Sequence, residues 1–410
     1  MEYGLIGEHL GHSFSPDIHR MIDNYKYELR EIAPNDLDAF MTTKDFRAIN
    51  VTIPYKQAVI PYLDEIDDAA ARIGAVNCIV NKDGKLIGHN TDYDGLKALI
   101  LRNKLTLADS KVLILGTGGT SHTASVVATD LGADKIIHVS RTKSDNTITY
   151  EEAISLHNDA DYIINTTPVG MYPKIDGCPI DIKAFHHIKG VIDVIFNPLR
   201  SNLVIESQNM GIPAEGGLYM LVVQAIKAAE YFTGHEYDKQ LADSIFSTLR
   251  KNKENIVLIG MPGCGKTTLS SILAKQLECD LVDTDQLIID REKCEITEIF
   301  SSHGEEYFRQ IETECIKDIC TLNKTIIATG GGSAMRWENI LALKRNGRIF
   351  FIDRPLDALI PTSDRPLADN RSKIEALFDK RYPTYTAVCD VQINAKGDVN
   401  SVVDKILTER

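Results

Sequence analysis

Two short apolar runs along the chain each lead directly into a glycine-rich turn and then a helical pattern. KVLIL, from Lys111 to Leu115, has the nearly unbroken apolar character of a strand covered on both faces. GTGGTS follows at Gly116 to Ser121, and SHTASVVATDL then carries apolar residues at helical spacing. KIIHVS, from Lys135 to Ser140, returns as a second strand. This strand, turn, helix and strand form the first half of a dinucleotide-binding fold. Gly116, Gly118 and Gly119 are expected to admit a pyrophosphate to the helix N-terminus.

The second run is NIVLIG, from Asn255 to Gly260, and it predicts another buried strand. GMPGCGKT follows and satisfies the full GxxxxGK[ST] pattern, with TLSSILAKQL as an amphipathic helix behind it. Amides around Gly263 and Gly265 are expected to cradle phosphates, with Lys266 reaching the β and γ groups. Thr267 is a candidate Mg²⁺ ligand and Thr268 a further nucleotide contact. The fold class implied is α/β throughout, with largely parallel sheets.

Chemistry at the end of the second strand refines the first site. A carboxylate there would select the free ribose hydroxyl of NAD, but the chain has Ser140, Arg141 and Thr142. A guanidinium beside hydroxyls suits a 2′-phosphate, so NADP(H) is the expected cofactor. STLRKNKEN, from Ser247 to Asn255, is charged and is expected to lie in an interdomain linker over 248–254. Residues 1–93 are too many for a tail and are expected to form a substrate domain.

Bulk properties narrow the partners. Lysine and arginine number 45 against 58 acidic residues, a formal charge of −13, which argues against nucleic acid or an anionic membrane. The opening segment has an early glutamate and only a short apolar stretch, so it does not match a secretory leader. Eight cysteines show neither a CxxC pair nor zinc-like spacing and are expected to be reduced and mostly buried in a cytoplasmic protein. Cys264, inside the phosphate loop, reads as a small filler.

SFSP (13–16), NVTIPYK (50–56), GAVN (74–77), NTDYDG (90–95), GTGGTS, NTTPVGM (165–171) and GGLYMLVVQA (216–225) occur in an order that resembles the shikimate dehydrogenases. The likeness covers about residues 1–245. DTDQLI (283–288), Phe308-Arg309, ATGGGS (328–333), Arg365 to Leu367 and RYPTY (381–385) follow the phosphate loop in an order that resembles shikimate kinase over about residues 254–410. The resemblance implies a substrate-binding domain at 1–93 with returning helices at 217–247. A Rossmann NADP domain at 94–216 and a P-loop kinase domain at 255–410 complete the expected organisation.

By resemblance, Lys56 and Asp92 form the acid–base pair of ketone reduction, and Ser13 and Ser15 bind the ring carboxylate from one side of an extended segment. Thr52, Asn77 and Gln224 hold ring hydroxyls, while Asn165 and Met220 lie at the cofactor. In the kinase half the resemblance makes Asp283 a holder of Mg²⁺ and Asp285 the group that deprotonates the attacking hydroxyl. Arg309 and Arg381 clamp the substrate carboxylate, Gly331 and Gly332 offer bare backbone beside it, and Arg365 is the lid arginine. The implied cofactors are NADP(H), ATP and Mg²⁺. The implied partners are 3-dehydroshikimate and shikimate, for a monomer or homodimer.

Two departures stand out. Where the family usually has DxxY before its NP dipeptide, Asp193 to Phe196 reads DVIF, which implies weaker carboxylate binding or altered ring preference. The lid segment LIPTSDRPL lacks an arginine upstream of Arg365, with Ala358 in that region, which bears on nucleotide affinity. The residues leave open a quinate/shikimate dehydrogenase joined to another small-alcohol kinase, or a ligand-sensing dehydrogenase-like half.

Overall fold

Strands and helices are mixed along the chain from Tyr3 to Glu409 in the computed structural model, which describes residues 1–11, 14–359 and 370–410. The chain divides into two units, Met1–Leu249 and Arg250–Arg410.

The first unit opens with β1 (Tyr3–Gly7), α1 (Ser15–Ile22), β2 (Tyr27–Glu31), α2 (Leu37–Thr43) and β3 (Ala48–Val51). It continues through β4 (Glu65–Ile66), α3 (Asp68–Ile73), β5 (Cys78–Lys82), β6 (Lys85–His89) and α4 (Thr91–Arg102). Among the described residues these strands form one mixed sheet in the order β2-β1-β3-β5-β6-β4. β1 runs parallel to both β2 and β3, whereas β3, β5 and β6 pair antiparallel. Ile6, Met41, Ile49, Val51, Ile79 and Leu86 form the core on one face of the sheet. Burying each such side chain stabilises the fold by about 1.5–3 kcal/mol.

The same unit then builds a second sheet from β7 (Lys111–Leu115), α5 (Gly119–Asp130), β8 (Lys135–Val139), β9 (Thr147–Ile148) and α6 (Tyr150–Leu156). β10 (Tyr162–Asn165), β11 (Gly190–Asp193), α7 (Asn202–Asn209) and β12 (Ala214–Glu215) complete it. The order β12-β11-β10-β7-β8-β9 is parallel throughout, and the chain switches direction of travel across the sheet beside β7. Ligands in such sheets sit at that switch, off the carboxyl ends of the strands.

α8 (Leu218–Thr233) and α9 (Leu241–Lys253) return to pack Leu218, Val222, Ala225, Ile245 and Phe246 against Ile18 and Ile22 of α1. α8 also crosses α4 closely. A Cβ at Gly95 would stand 2.6 Å from the Met220 carbonyl, so only glycine permits the approach.

The stretch expected as a linker is helical as far as Lys253. Apolar residues at 241, 242, 245, 246 and 249 continue a helical stripe with no glycine or proline to stop it. Arg250 pairs with Glu254 one turn on at 3.0 Å, and Lys253 and Glu254 are buried, so polar composition there does not mark an open loop.

The second unit runs β13 (Asn255–Ile259), α10 (Lys266–Leu277), β14 (Asp280–Asp283), α11 (Thr284–Glu292), α12 (Ile296–Ile319) and β15 (Thr325–Ala328). It ends with α13 (Trp337–Asn346), β16 (Gly347–Asp353), α14 (Arg371–Val388), β17 (Val391–Asn394) and α15 (Val399–Glu409). All its strand pairs are parallel, in the order β14-β15-β13-β16-β17. Helical geometry breaks inside α12 at Gly304 (φ 84°), so Arg309 belongs to a separate helical segment.

Candidate active sites

In the first unit a cavity of about 680 Å³ gathers Ser15, Thr52, Lys56, Asn77, Asp92, Met220 and Gln224. Asp92 stands in the first turn of α4, and its Oδ2 accepts from Lys56 Nζ at 2.6 Å. Both side chains are largely but not fully buried, at 15% and 26% exposure, so the pair remains within reach of a ligand.

The neighbouring residue fixes this pair. Thr91 donates its amide to Asn77 Oδ1 at 2.7 Å and shares its hydroxyl with Asn77 and Gln224. Asn77, Thr91 and Gln224 therefore tie β-sheet, α4 and α8 together around the pair. Thr91 was not recognised in the sequence, although it immediately precedes Asp92. A second network lies behind Ser15. His19 meets Tyr25 at 2.5 Å and stacks on Tyr27, whose hydroxyl donates to Asn50 at 2.8 Å. Burial pushes the His19 imidazole down to about 3, so it serves as a neutral brace.

Ser13 lies outside the described residues. Ser15 does not sit in an extended segment: it begins α1, where Pro16 in the first turn and an αR conformation at Phe14 start the helix. Phe196 lines the cavity and meets Phe14 edge-on, ring centroids 5.7 Å apart.

The glycine turn after β7 fits a dinucleotide pyrophosphate. Gly116 has φ +108°, and a Cβ there would stand 2.8 Å from Thr166 Oγ1. Nothing lies within 4 Å of a Cβ at Gly118 or Gly119, so the space above the α5 N-terminus is clear for an anion. Beside it a cavity of about 620 Å³ is lined by Ser140, Thr142, Lys143, Arg72 and His138. Arg141 is exposed and does not line it.

Asn165 does not face the cofactor cleft. Its side chain is fully buried, donating to Asp193 at 3.0 Å and accepting from Thr167. A strand-end amide between β10 and β11 is used to hold the turn that follows. Asp193 also accepts from Ser201 at 2.5 Å, and burial raises its carboxyl to about 6.

In the second unit a cavity of about 710 Å³ brings together Gly263, Gly265, Lys266, Thr267, Thr268, Asp283, Asp285, Arg309, Gly331, Gly332 and Arg381. Arg365 lies outside the described residues. Gly265, with φ +99°, caps α10 in a conformation that side chains resist. Lys266 Nζ donates to the Gly260 and Met261 carbonyls at 2.9 and 3.2 Å, bracing its own loop. Thr267 Oγ1 stands 3.4 Å from Asp283 Oδ2. That hydroxyl and carboxylate fit a Mg²⁺ ion that takes its remaining oxygens from phosphate and water, because no cluster of three metal-binding side chains exists among the described residues.

Substrate-side groups are placed by bare backbone. Cβ atoms at Gly331 and Gly332 would stand 3.2 Å from Arg381 Nη1 and 2.3 Å from Arg309 Nη1. Arg309 is held by Glu312, whose fully buried carboxylate accepts from it at 2.7 Å and from Ser333 at 2.5 Å. Glu312 was missed in the sequence. Its only signal was a position three residues after Arg309 on a helix. Arg381 and Tyr385 share one face of α14, and Tyr385 donates to the Gly331 carbonyl.

A nicotinamide-dinucleotide fold opening on a lysine–aspartate pair defines an oxidoreductase, and a phosphate loop facing two arginines and an aspartate defines a kinase of a small acidic alcohol. Comparison with known proteins places both. The chain belongs to the shikimate dehydrogenase family. It is 38% identical over 262 residues to the shikimate dehydrogenase (NADP(+)) of Clostridium beijerinckii, covering 60% of this chain and 96% of that one. The family model of the shikimate dehydrogenase substrate binding domain matches residues 5–79, and that of shikimate kinase matches residues 262–409.

Solved structures are similar as well, two of them as follows. Shikimate dehydrogenase 1 from Peptoclostridium difficile is 36% identical with a TM-score of 0.56, covering 61% of this chain and 98% of that one. A chorismate mutase/shikimate 5-dehydrogenase fusion protein from Clostridium acetobutylicum is 33% identical with a TM-score of 0.57, covering 61% and 97%.

Proposed function

We infer that the two sites run successive steps on one ring. NADPH-dependent reduction of 3-dehydroshikimate gives shikimate, and ATP-dependent phosphorylation of the hydroxyl just made gives shikimate 3-phosphate. The observation that carries this reading is the gathering of Ser15, Thr52, Lys56, Asn77, Asp92 and Gln224 in one cavity of the first unit, and of Lys266, Thr267, Asp283, Asp285, Arg309 and Arg381 in one cavity of the second.

Bound NADPH supplies the hydride. Lys56 donates a proton to the carbonyl oxygen as it gains charge, and Asp92 at 2.6 Å keeps the ammonium aimed. Ser15 binds the ring carboxylate, while Thr52, Asn77 and Gln224 orient the ring hydroxyls, and Met220 packs at the cofactor's reactive end. Ser140, Thr142 and Lys143 line the cavity that would take the 2′-phosphate, and Arg141, exposed between Ser140 and Thr142 in sequence, is a further cation for it.

ATP with Mg²⁺ supplies the phosphoryl group. Asp285 accepts the proton of the 3-hydroxyl, and Arg309 and Arg381 fix the ring by its carboxylate. Free amides at the start of α10, with Lys266, stabilise charge on the transferring group. None of the eight cysteines forms a disulfide and none is exposed, which fits a reducing cytoplasm. The domain organisation proposed is substrate, Rossmann and kinase domains.

Paired knockouts test the assignment. Lys56→Ala is expected to lower dehydrogenase turnover about 10²–10⁴-fold and leave kinase turnover intact, and Asp285→Asn to do the reverse. Near-normal NADPH oxidation in the first variant, or normal phosphorylation in the second, removes that residue from the chemistry.

A further inference from the structure

Arg354 follows β16 directly, and β16 pairs with β13, the strand that feeds the phosphate loop. The two strand ends are therefore neighbours. A Cβ at Gly260 would stand 2.9 Å from the Ile352 carbonyl. Two residues beyond Ile352, Arg354 Nη1 stands 3.7 Å from where a Cβ on Gly265 would be. Gly265 is the cap of α10 and precedes Lys266, so this guanidinium lies over the start of the phosphate-binding helix.

No described residue accounts for its charge. Arg354 Nε is buried without a hydrogen-bond partner, and its guanidinium makes no ion pair with any described carboxylate. The adjacent Asp353 is turned elsewhere, accepting from Gln392 at 2.8 Å and Tyr382 at 3.1 Å. Arg309 in the same unit shows the contrasting arrangement, with Glu312 at 2.7 Å and Glu305 at 3.4 Å. A half-buried arginine with a desolvated, unpaired nitrogen is costly unless an anion meets it. The free amides of α10 and the ammonium of Lys266 favour an anion at this place.

We propose that Arg354 is a nucleotide-binding residue of the kinase half, pairing with the polyphosphate chain of ATP over Gly265. The inference rests on the kinase reading above and adds a specific contact to it. A planar guanidinium can present two parallel N–H donors to phosphate, which a lysine cannot. Arg354 is a ground-state contact, so its loss weakens nucleotide binding more than it slows transfer.

The test uses the full-length protein with Arg354→Ala and Arg354→Lys. The alanine variant is expected to raise the KM for MgATP about 10- to 100-fold, with the KM for shikimate and the dehydrogenase activity within about twofold of the parent. The lysine variant keeps the charge, controls for folding, and is expected to recover part of the loss. Binding of inorganic tripolyphosphate, measured by calorimetry, is expected to weaken by a similar factor in the alanine variant. An unchanged KM for MgATP, or unchanged tripolyphosphate binding, overturns the phosphate contact. Calorimetry does not need shikimate turnover, so failure of the parent protein to phosphorylate shikimate would count against the kinase reading separately.

Discussion

Gly330→Ala places a single methyl group between the two carboxylates of the kinase site. Its Cβ would stand 2.6 Å from Asp285 Oδ1, 2.9 Å from Glu312 Oε1 and 3.3 Å from Ser333 Oγ. Backbone strain is not involved, because Gly330 does not have a positive φ. Unbonded carbon and oxygen settle at roughly 3.3–3.5 Å, so the Asp285 carboxylate would be about 0.7 Å too close and the Glu312 carboxylate about 0.4 Å too close. Glu312 is fully buried and held by Arg309 and Ser333, whereas Asp285 faces the cavity. Asp285 therefore moves. A misplacement approaching 1 Å at a reacting group costs up to about 10²-fold, so kcat for phosphorylation is expected to fall about 30- to 100-fold, or about 2–2.7 kcal/mol. A coupled assay of ADP release reads the kinase, and NADPH absorbance on the same preparation reads the dehydrogenase as an internal control. The KM for MgATP is expected to stay within about twofold. A kcat within about threefold of the parent would refute the claim that Gly330 sets the position of Asp285.

The remaining predictions concern the first unit. Arg141→Ala is expected to raise the KM for NADPH but not for NADH, and Lys143→Ala to do the same; equal changes for both cofactors in both variants would remove these residues from 2′-phosphate recognition. Phe196→Tyr is expected to lower the KM for shikimate a few-fold, since a donor to a carboxylate contributes ~1.5–3 kcal/mol at best and water in the gap already supplies most of that, and an unchanged KM would mean that packing on Phe14 has replaced the hydroxyl. Asp193 has its carboxyl raised to about 6, so its contribution to stability is full below its ordinary value of 3.8 and is lost as pH rises through about 6. Unfolding of Asp193→Asn beside the parent is therefore expected to shift in the variant's favour by up to ~3 kcal/mol between about pH 4 and pH 7, and a difference that does not change with pH would contradict it.

What could be read from residues alone followed the range of the interactions involved. The two glycine turns expected to hold phosphate are legible because strand, glycines and helix N-terminus are contiguous, and Gly116 and Gly265 adopt the positive φ that such turns require. Lys56 and Asp92 are 36 positions apart, and only their motifs, not any local pattern, suggested that they meet. Glu312 was invisible because its purpose depends on Ser333, which another part of the chain brings to it. Asn165 looked like a cofactor contact because its motif lies near the cleft, yet a buried partner, Asp193, claims its amide. The charged run before Asn255 has the polarity of a linker, but the helical stripe ending at Leu249 decides the local structure. Arg354 carried no signal at all, since its position over Gly265 arises only when β16 aligns beside β13.

One experiment addresses the account as a whole. The full-length protein is given 3-dehydroshikimate, NADPH, ATP and Mg²⁺, with NADPH loss, ADP formation and ring products followed together. Two sites acting in sequence on one hydroxyl predict one NADPH and one ATP consumed per ring, with shikimate rising first and shikimate 3-phosphate accumulating after it. Omission of ATP should stop the product at shikimate, and omission of NADPH should stop phosphorylation unless shikimate is added. NADPH oxidation without any phosphorylated ring, or ATP consumption that does not require the newly made hydroxyl, would contradict the two-step assignment.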